Sequence, residues 1–116
     1  MRVYTSYYAK LSKIPESFYP IAISCTVPDG INIPRYVSLA PPYSILSRYK
    51  EDKDSTAYEV EYRETVLSHL EKDKVLRQLE RMSGGKDVVL MCYERSDSFC
   101  HRHIVASWIG AEELML

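Results

Sequence analysis

The chain has 116 residues, 46% of them hydrophobic and 27% charged, a globular composition long enough to bury a core without disulfide or metal staples. A net charge of -1 excludes a general attraction to nucleic acid or to an anionic membrane, so nucleic acid would be a partner only through a local patch. No apolar run approaches the roughly 18 residues that span a bilayer, the N-terminus lacks the apolar stretch of a signal peptide, and three cysteines suit free thiols in a reducing compartment. The expectation is one cytoplasmic domain over residues 1–116.

The first element is a short strand in "RVYTSY", residues 2–7, rich in β-formers. "PIAISCTV", Pro20 to Val27, is an apolar run closed by the Pro28-Asp29-Gly30 turn and reads as a buried strand. "INIPRYVSLAPPY", residues 31–43, carries three prolines and is expected to be an ordered loop of little regular structure. Glu51 to Ser55 reads as a charged connection between helices. Tyr58, Tyr62, Val66 and Leu70 then recur at helical spacing, as do Val75, Leu79 and Met82, and Ser83-Gly84-Gly85 ends the last helix. Asp87 to Cys92 is a continuous apolar strand of the kind buried on both faces of a parallel sheet. Asp97 or Ser98 is the expected cap of a final helix that turns Ile104, Val105, Trp108 and Ile109 inward. Strands alternate with helices, and the strands lie too far apart for hairpins. The fold class is α/β: a small Rossmann-like sheet, mostly parallel, flanked by helices.

In such sheets ligands bind beyond the carboxyl ends of strands, where helices begin. "CYERSDSFCHRH", Cys92 to His103, occupies that position between two apolar segments. Cys100, His101 and Arg102 fall in the first turn of the final helix. The helix dipole favours an anion there and repels cations, so a cationic first turn is consistent with a bound anion. Arg102 is suited to grip a phosphate or carboxylate with two parallel hydrogen bonds. Cys100, beside His101, is placed for a lowered thiol pKa and for nucleophilic attack with His101 as base. Glu94 is the candidate general acid or base, or a partner that orients Arg102. Cys92 and Tyr93 at the same strand end are expected to line the ligand site. So are Thr5 and Ser6 after the first strand and Ser24 and Cys25 after the second, provided the strands are parallel neighbours.

Plainer readings compete at each position. Cys92 and Cys25 suit buried packing thiols, His103 a solvated helix face, Arg35 the surface, and Trp108 the core. Cys92, Cys100, His101 and His103 are also four soft or borderline metal ligands. Their spacing lacks the paired form of a closed zinc site, and His101 and His103 point roughly opposite ways on a helix, so no metal is assigned. Ten tyrosines are the compositional oddity, suited to a half-buried surface or to stacking at a pocket rim.

At "VVLMCYERSDSFCHRHIVASWI" the chain resembles the domain-of-unknown-function family numbered 488. Its members show an apolar strand with Cys and Glu, then a short loop into Cys-His-Arg opening a helix, matched here by Cys92, Glu94, Cys100, His101 and Arg102. "VYTSYYAKL", "LAPPY" and "MSGGKDV" extend the resemblance over nearly the whole chain. It implies a Rossmann-like fold with the Cys-His-Arg end as the site, and carries no settled activity. Family members often have Asp-x-Arg at the end of the second strand. "AISCT" stands there in this chain, without an arginine.

The leading expectation is a domain that binds a small phosphate-bearing, nucleotide-like molecule at the Cys-His-Arg helix and acts on it as a hydrolase or transferase. The alternatives are a non-catalytic module that binds a nucleotide or nucleic-acid end, and a Cys/His metal-binding protein. No cofactor and no oligomeric state is specified by these residues. A cysteine-phosphatase loop is excluded, since Cys100 and Arg102 are too close in sequence to encircle a phosphate.

Overall fold

The computed structural model describes residues 1–95 and 98–116. Four parallel strands form one sheet: β1 (Val3–Tyr7), β2 (Phe18–Ala22), β3 (Asp87–Cys92) and β4 (Glu112–Glu113), in the spatial order β2-β3-β1-β4. The helices are α1 (Tyr43–Asp52), α2 (Ser55–Thr65), α3 (Lys72–Ser83) and α4 (His101–Ile109). This is the small α/β architecture that the alternating pattern predicts.

β3 is central in space because it is apolar on both faces. Val88 and Leu90 join Ile21, Ile23 and the inward residues of all four helices in the main core. Val89 and Met91 face the other way, onto Tyr8, Ala22 and partly buried side chains such as Leu11, Ile14, Val27 and Ile33. Helices therefore cover one face of the sheet. A 3-10 segment (Tyr8–Lys13) and the residues after β2 cover the other. The parallel register pairs Tyr7 with Cys92 and Ala22 with Met91, so β1, β2 and β3 end at one level. That common edge positions the site.

The helix boundaries follow local chemistry. Asp54 caps α2, its carboxylate accepting from the Ala57 amide at 3.0 Å. Gly84 ends α3 at φ 64°, the left-handed conformation that glycine reaches without a Cβ penalty. The Ile31–Tyr43 stretch holds one short 3-10 turn (Val37–Leu39) and a single bridge from Arg35 to Ala22, close to the expected irregular loop.

Four boundaries differ from the sequence reading. β2 begins at Phe18 and ends at Ala22, not Val27, because the chain turns away after the Ile23 amide makes a last bond to the Met91 carbonyl at 3.0 Å. α1 was not legible as a helix, since Pro42 precedes it and gives no side-chain cap. β4 pairs with Tyr4 and Thr5 despite having two glutamates, because its backbone completes the free edge of β1. The predicted Ser98 cap is also corrected. The cap falls two residues later, at extended Cys100 (φ -151°, ψ 145°), while the Ser98 amide closes a turn onto the Arg95 carbonyl at 3.0 Å. The alternative cap, Asp97, lies outside the described residues.

Candidate functional site: a thiol–imidazole cluster under an aromatic cavity

β3 delivers Cys92 at its last position, on the same face as Val88 and Leu90. α4 begins directly above that face, with Cys100 at its cap and His101 as its first residue. The two sulfurs lie 2.8 Å apart, closer than an unbonded sulfur contact and within hydrogen-bonding reach of each other. His101 Nδ1 stands 3.4 Å from Cys92 Sγ and 3.9 Å from Cys100 Sγ. His101 Nε2 donates to the Ile23 carbonyl at 2.8 Å. In the neutral ring that bond leaves Nδ1 as the acceptor, turned towards both thiols. The edge of the Tyr62 ring, 5.5 Å away between centroids, holds the imidazole in place, and Tyr62 is itself anchored to the Leu39 carbonyl.

These contacts split the two thiols. Hydrogen bonding from Cys92 draws the Cys100 thiol well below its usual range, helped by His101 and the Arg102 backbone amide and opposed by burial. The same hydrogen bond pushes the Cys92 thiol upward, and burial adds to it. Only Cys100 sits on the positive end of a helix, so the thiolate belongs there.

A cavity of about 630 Å³ opens over the cluster. Its floor includes Cys92, Cys100, His101 and Ser24, with Cys25, Tyr93 and Glu94 alongside. Tyr49, Tyr58 and Phe99 form an aromatic wall, with Tyr58 edge-on to the other two at centroid distances of 5.5 and 4.9 Å. Lys50 brings a cation to the lining. Ser24 Oγ, in the lining, lies 2.5 Å from the Oη of buried Tyr8, and Thr26 Oγ1 meets Tyr93 Oη at 2.9 Å. Burial raises the Tyr8 phenol to about 12, so it stays a neutral hydrogen-bonding group.

The structure thus gathers Cys92, Tyr93, Glu94, Cys100, His101, Ser24 and Cys25 around one cavity. It places Thr5 and Ser6 elsewhere: both are buried within β1 and neither lines the cavity. Arg102 is also outside the lining. Its guanidinium is fully buried, donates to the Glu94 carbonyl, lies 5.6 Å from the Tyr7 ring centroid and approaches Glu113 at 3.5 Å. Arg35 reaches the residues after β2, donating to the Cys25 carbonyl at 2.8 Å. His103 Nε2 meets the Ser98 carbonyl at 3.2 Å, away from the sulfurs.

Sequence reasoning missed Tyr49, Lys50, Phe99, Pro41 and Thr26. The tyrosine count hinted at the wall without locating it. Cys92, Cys100 and His101 present three ligand atoms within 4.8 Å of one another. Tetrahedral thiolates on zinc would stand about 3.8 Å apart, against 2.8 Å between these two sulfurs.

Fold and site together define a small parallel α/β domain with a thiol–imidazole pair at the carboxyl edge of its sheet. Residues 19–113 match the family model described as the active DUF488-N3 subclade, and the chain belongs to the DUF488 family. No curated protein and no solved structure matches it. Among the described residues no helix is long and apolar enough to cross a membrane.

Proposed function

We propose that this chain binds a small phosphate-bearing, nucleotide-like molecule in the aromatic cavity and acts on it as a hydrolase or transferase, with Cys100 as nucleophile. One observation carries the reading: the Cys100 sulfur, at the cap of α4 and beside His101 Nδ1, lies at the floor of a cavity whose other groups suit a planar, anionic ligand. The volume of about 630 Å³ falls within the range of small-molecule sites. Tyr49, Tyr58 and Phe99 offer ring faces and edges to a base, and Lys50 with the first amides of α4 offers positive charge to a phosphate.

In this mechanism Cys100 Sγ attacks the electrophilic centre of the ligand. His101 Nδ1 holds the proton displaced from the thiol pair, its other nitrogen fixed on Ile23. Glu94, at the exposed mouth, protonates the leaving group or activates the incoming water or acceptor. Arg102 binds no ligand directly. It fixes the Glu94 backbone and so positions that carboxylate. The family description, which calls the subclade active, supports an enzyme over a passive binder.

The test is native mass spectrometry of untagged protein as purified, followed by calorimetric titration with nucleoside mono-, di- and triphosphates. A co-purified phosphate metabolite, or saturable binding of one nucleotide class that Lys50→Ala weakens, is the expected result. A stoichiometric metal on the two thiols would replace this reading with a metal site, and binding of nothing in the panel would remove the ligand class.

A further inference from the structure

Cys92 makes and breaks no bond to the ligand in that mechanism, yet it stands closer to the nucleophile than any other side chain of the cluster. We propose that Cys92 and Cys100 are a peroxide-reactive dithiol, in which Cys100 is the attacking sulfur and Cys92 the resolving one. The proposal rests on Cys100 being reactive, as above, but not on the identity of the phosphate ligand.

Three geometric facts carry it. The sulfurs are 2.8 Å apart, about 0.8 Å from disulfide bonding distance, so the ends of β3 and α4 need little movement to join. Both line a cavity wide enough for a peroxide, although each residue is only 4% exposed. His101 Nδ1 lies within 4 Å of both, placed to take a proton from either.

The steps balance. The Cys100 thiolate attacks one oxygen of hydrogen peroxide or an alkyl hydroperoxide, and the O–O bond breaks. The other oxygen leaves as hydroxide or alkoxide and takes up the proton held on His101, which leaves that ring neutral, while Cys100 becomes a sulfenic acid. Sulfenic acid no longer holds the Cys92 proton by a charged hydrogen bond, so that proton passes to His101. Cys92 Sγ then attacks Cys100 Sγ, the S–O bond breaks, and hydroxide leaves with the proton as water. The net change is two thiols and one peroxide to one disulfide, with two waters or a water and an alcohol. The disulfide ties β3 to α4 and removes the nucleophile until a thiol reductant restores it. Cys25, half-buried on the cavity wall, is the competing partner.

The experiment treats the reduced full chain with hydrogen peroxide and reads intact mass and non-reducing peptide maps. Expected is a loss of two hydrogens, a Cys92–Cys100 cross-link, and full recovery with dithiothreitol, all retained in Cys25→Ser. Cys92→Ser and Cys92→Ala are expected instead to gain oxygen on Cys100, trapped by dimedone and then lost to sulfinic acid. Oxidation of wild-type Cys100 to sulfinic acid as readily as in Cys92→Ser would overturn the proposal, as would a cross-link through Cys25. A Cys100 that peroxide and alkylating agents both leave untouched would sink the nucleophile reading as well. A disulfide in a protein that binds no nucleotide would leave this proposal standing and refute only the ligand class.

Discussion

Arg102→Met tests whether this arginine is a strut or a ligand grip. Methionine keeps much of the buried stem and removes the guanidinium, which is 0% exposed in the native chain. The charge-assisted bond to the Glu94 carbonyl is lost, about 1.5–3 kcal/mol for a bond of this kind. So is the stacking over Tyr7, about 0.5–2 kcal/mol. Two effects offset this. Arg102 Nε and Nη2 have no hydrogen-bond partner among the described residues, so their desolvation cost disappears. Glu113 is 32% exposed, so its carboxylate rehydrates and the 3.5 Å pair contributes little. The net loss is about 2 kcal/mol, or roughly 8 °C in Tm for a domain of this size. Arg102→Ala adds a cavity and should lose about twice as much. Thermal melts followed by circular dichroism read the effect directly. A wild-type Tm in Arg102→Met, together with lost nucleotide binding, would refute the strut and make the arginine a ligand residue.

Other consequences are equally concrete. The lowered Cys100 pKa keeps that sulfur ionised as pH falls, so its iodoacetamide rate should stay nearly flat from about pH 8 to 6, where an ordinary thiol slows about tenfold per unit. Peptide-resolved alkylation measures this, and an ordinary profile at Cys100 would contradict the site electrostatics. Burial raises the phenols of Tyr58 and Tyr62 far above their usual range. A raised folded pKa means full stability below about pH 10 and loss above it, as the unfolded chain ionises. Tyrosinate absorbance should therefore appear in two phases, the later one coinciding with unfolding. Gly84→Ala should cost about 1 kcal/mol through backbone strain alone, since its φ is 64° and nothing lies within 4 Å of an added Cβ. Urea denaturation checks it, and an unchanged midpoint would refute the left-handed cap.

What was legible in the sequence were features of local origin. The apolar run at Asp87–Cys92, the glycine stop after α3 and the helical spacing of Tyr58 and Tyr62 each report a short-range cause. Cys92, Cys100 and His101 were legible as a group because one loop brings them together. Features that depend on distant partners were not. Phe99, Tyr49 and Tyr58 become a wall only when α1, α2 and the Phe99–Cys100 segment pack together. β4 exists because β1 offers a free edge. Arg102 was read from its position in the first helical turn, and the structure shows a side chain turned to Tyr7 and Glu113. Spacing along a helix does not reveal which neighbour a long side chain reaches.

A nucleotide-like ligand seated in the cavity would cover the Cys100 sulfur. Ligand protection of that sulfur tests it most directly. Alkylation of Cys100 is followed at fixed pH against a concentration series of each nucleotide, with inorganic phosphate as the control anion. Saturable protection by at least one nucleotide is expected, stronger than by phosphate and weakened in Lys50→Ala and in Phe99→Ala. Alkylation that proceeds at one rate whatever nucleotide is present would contradict it.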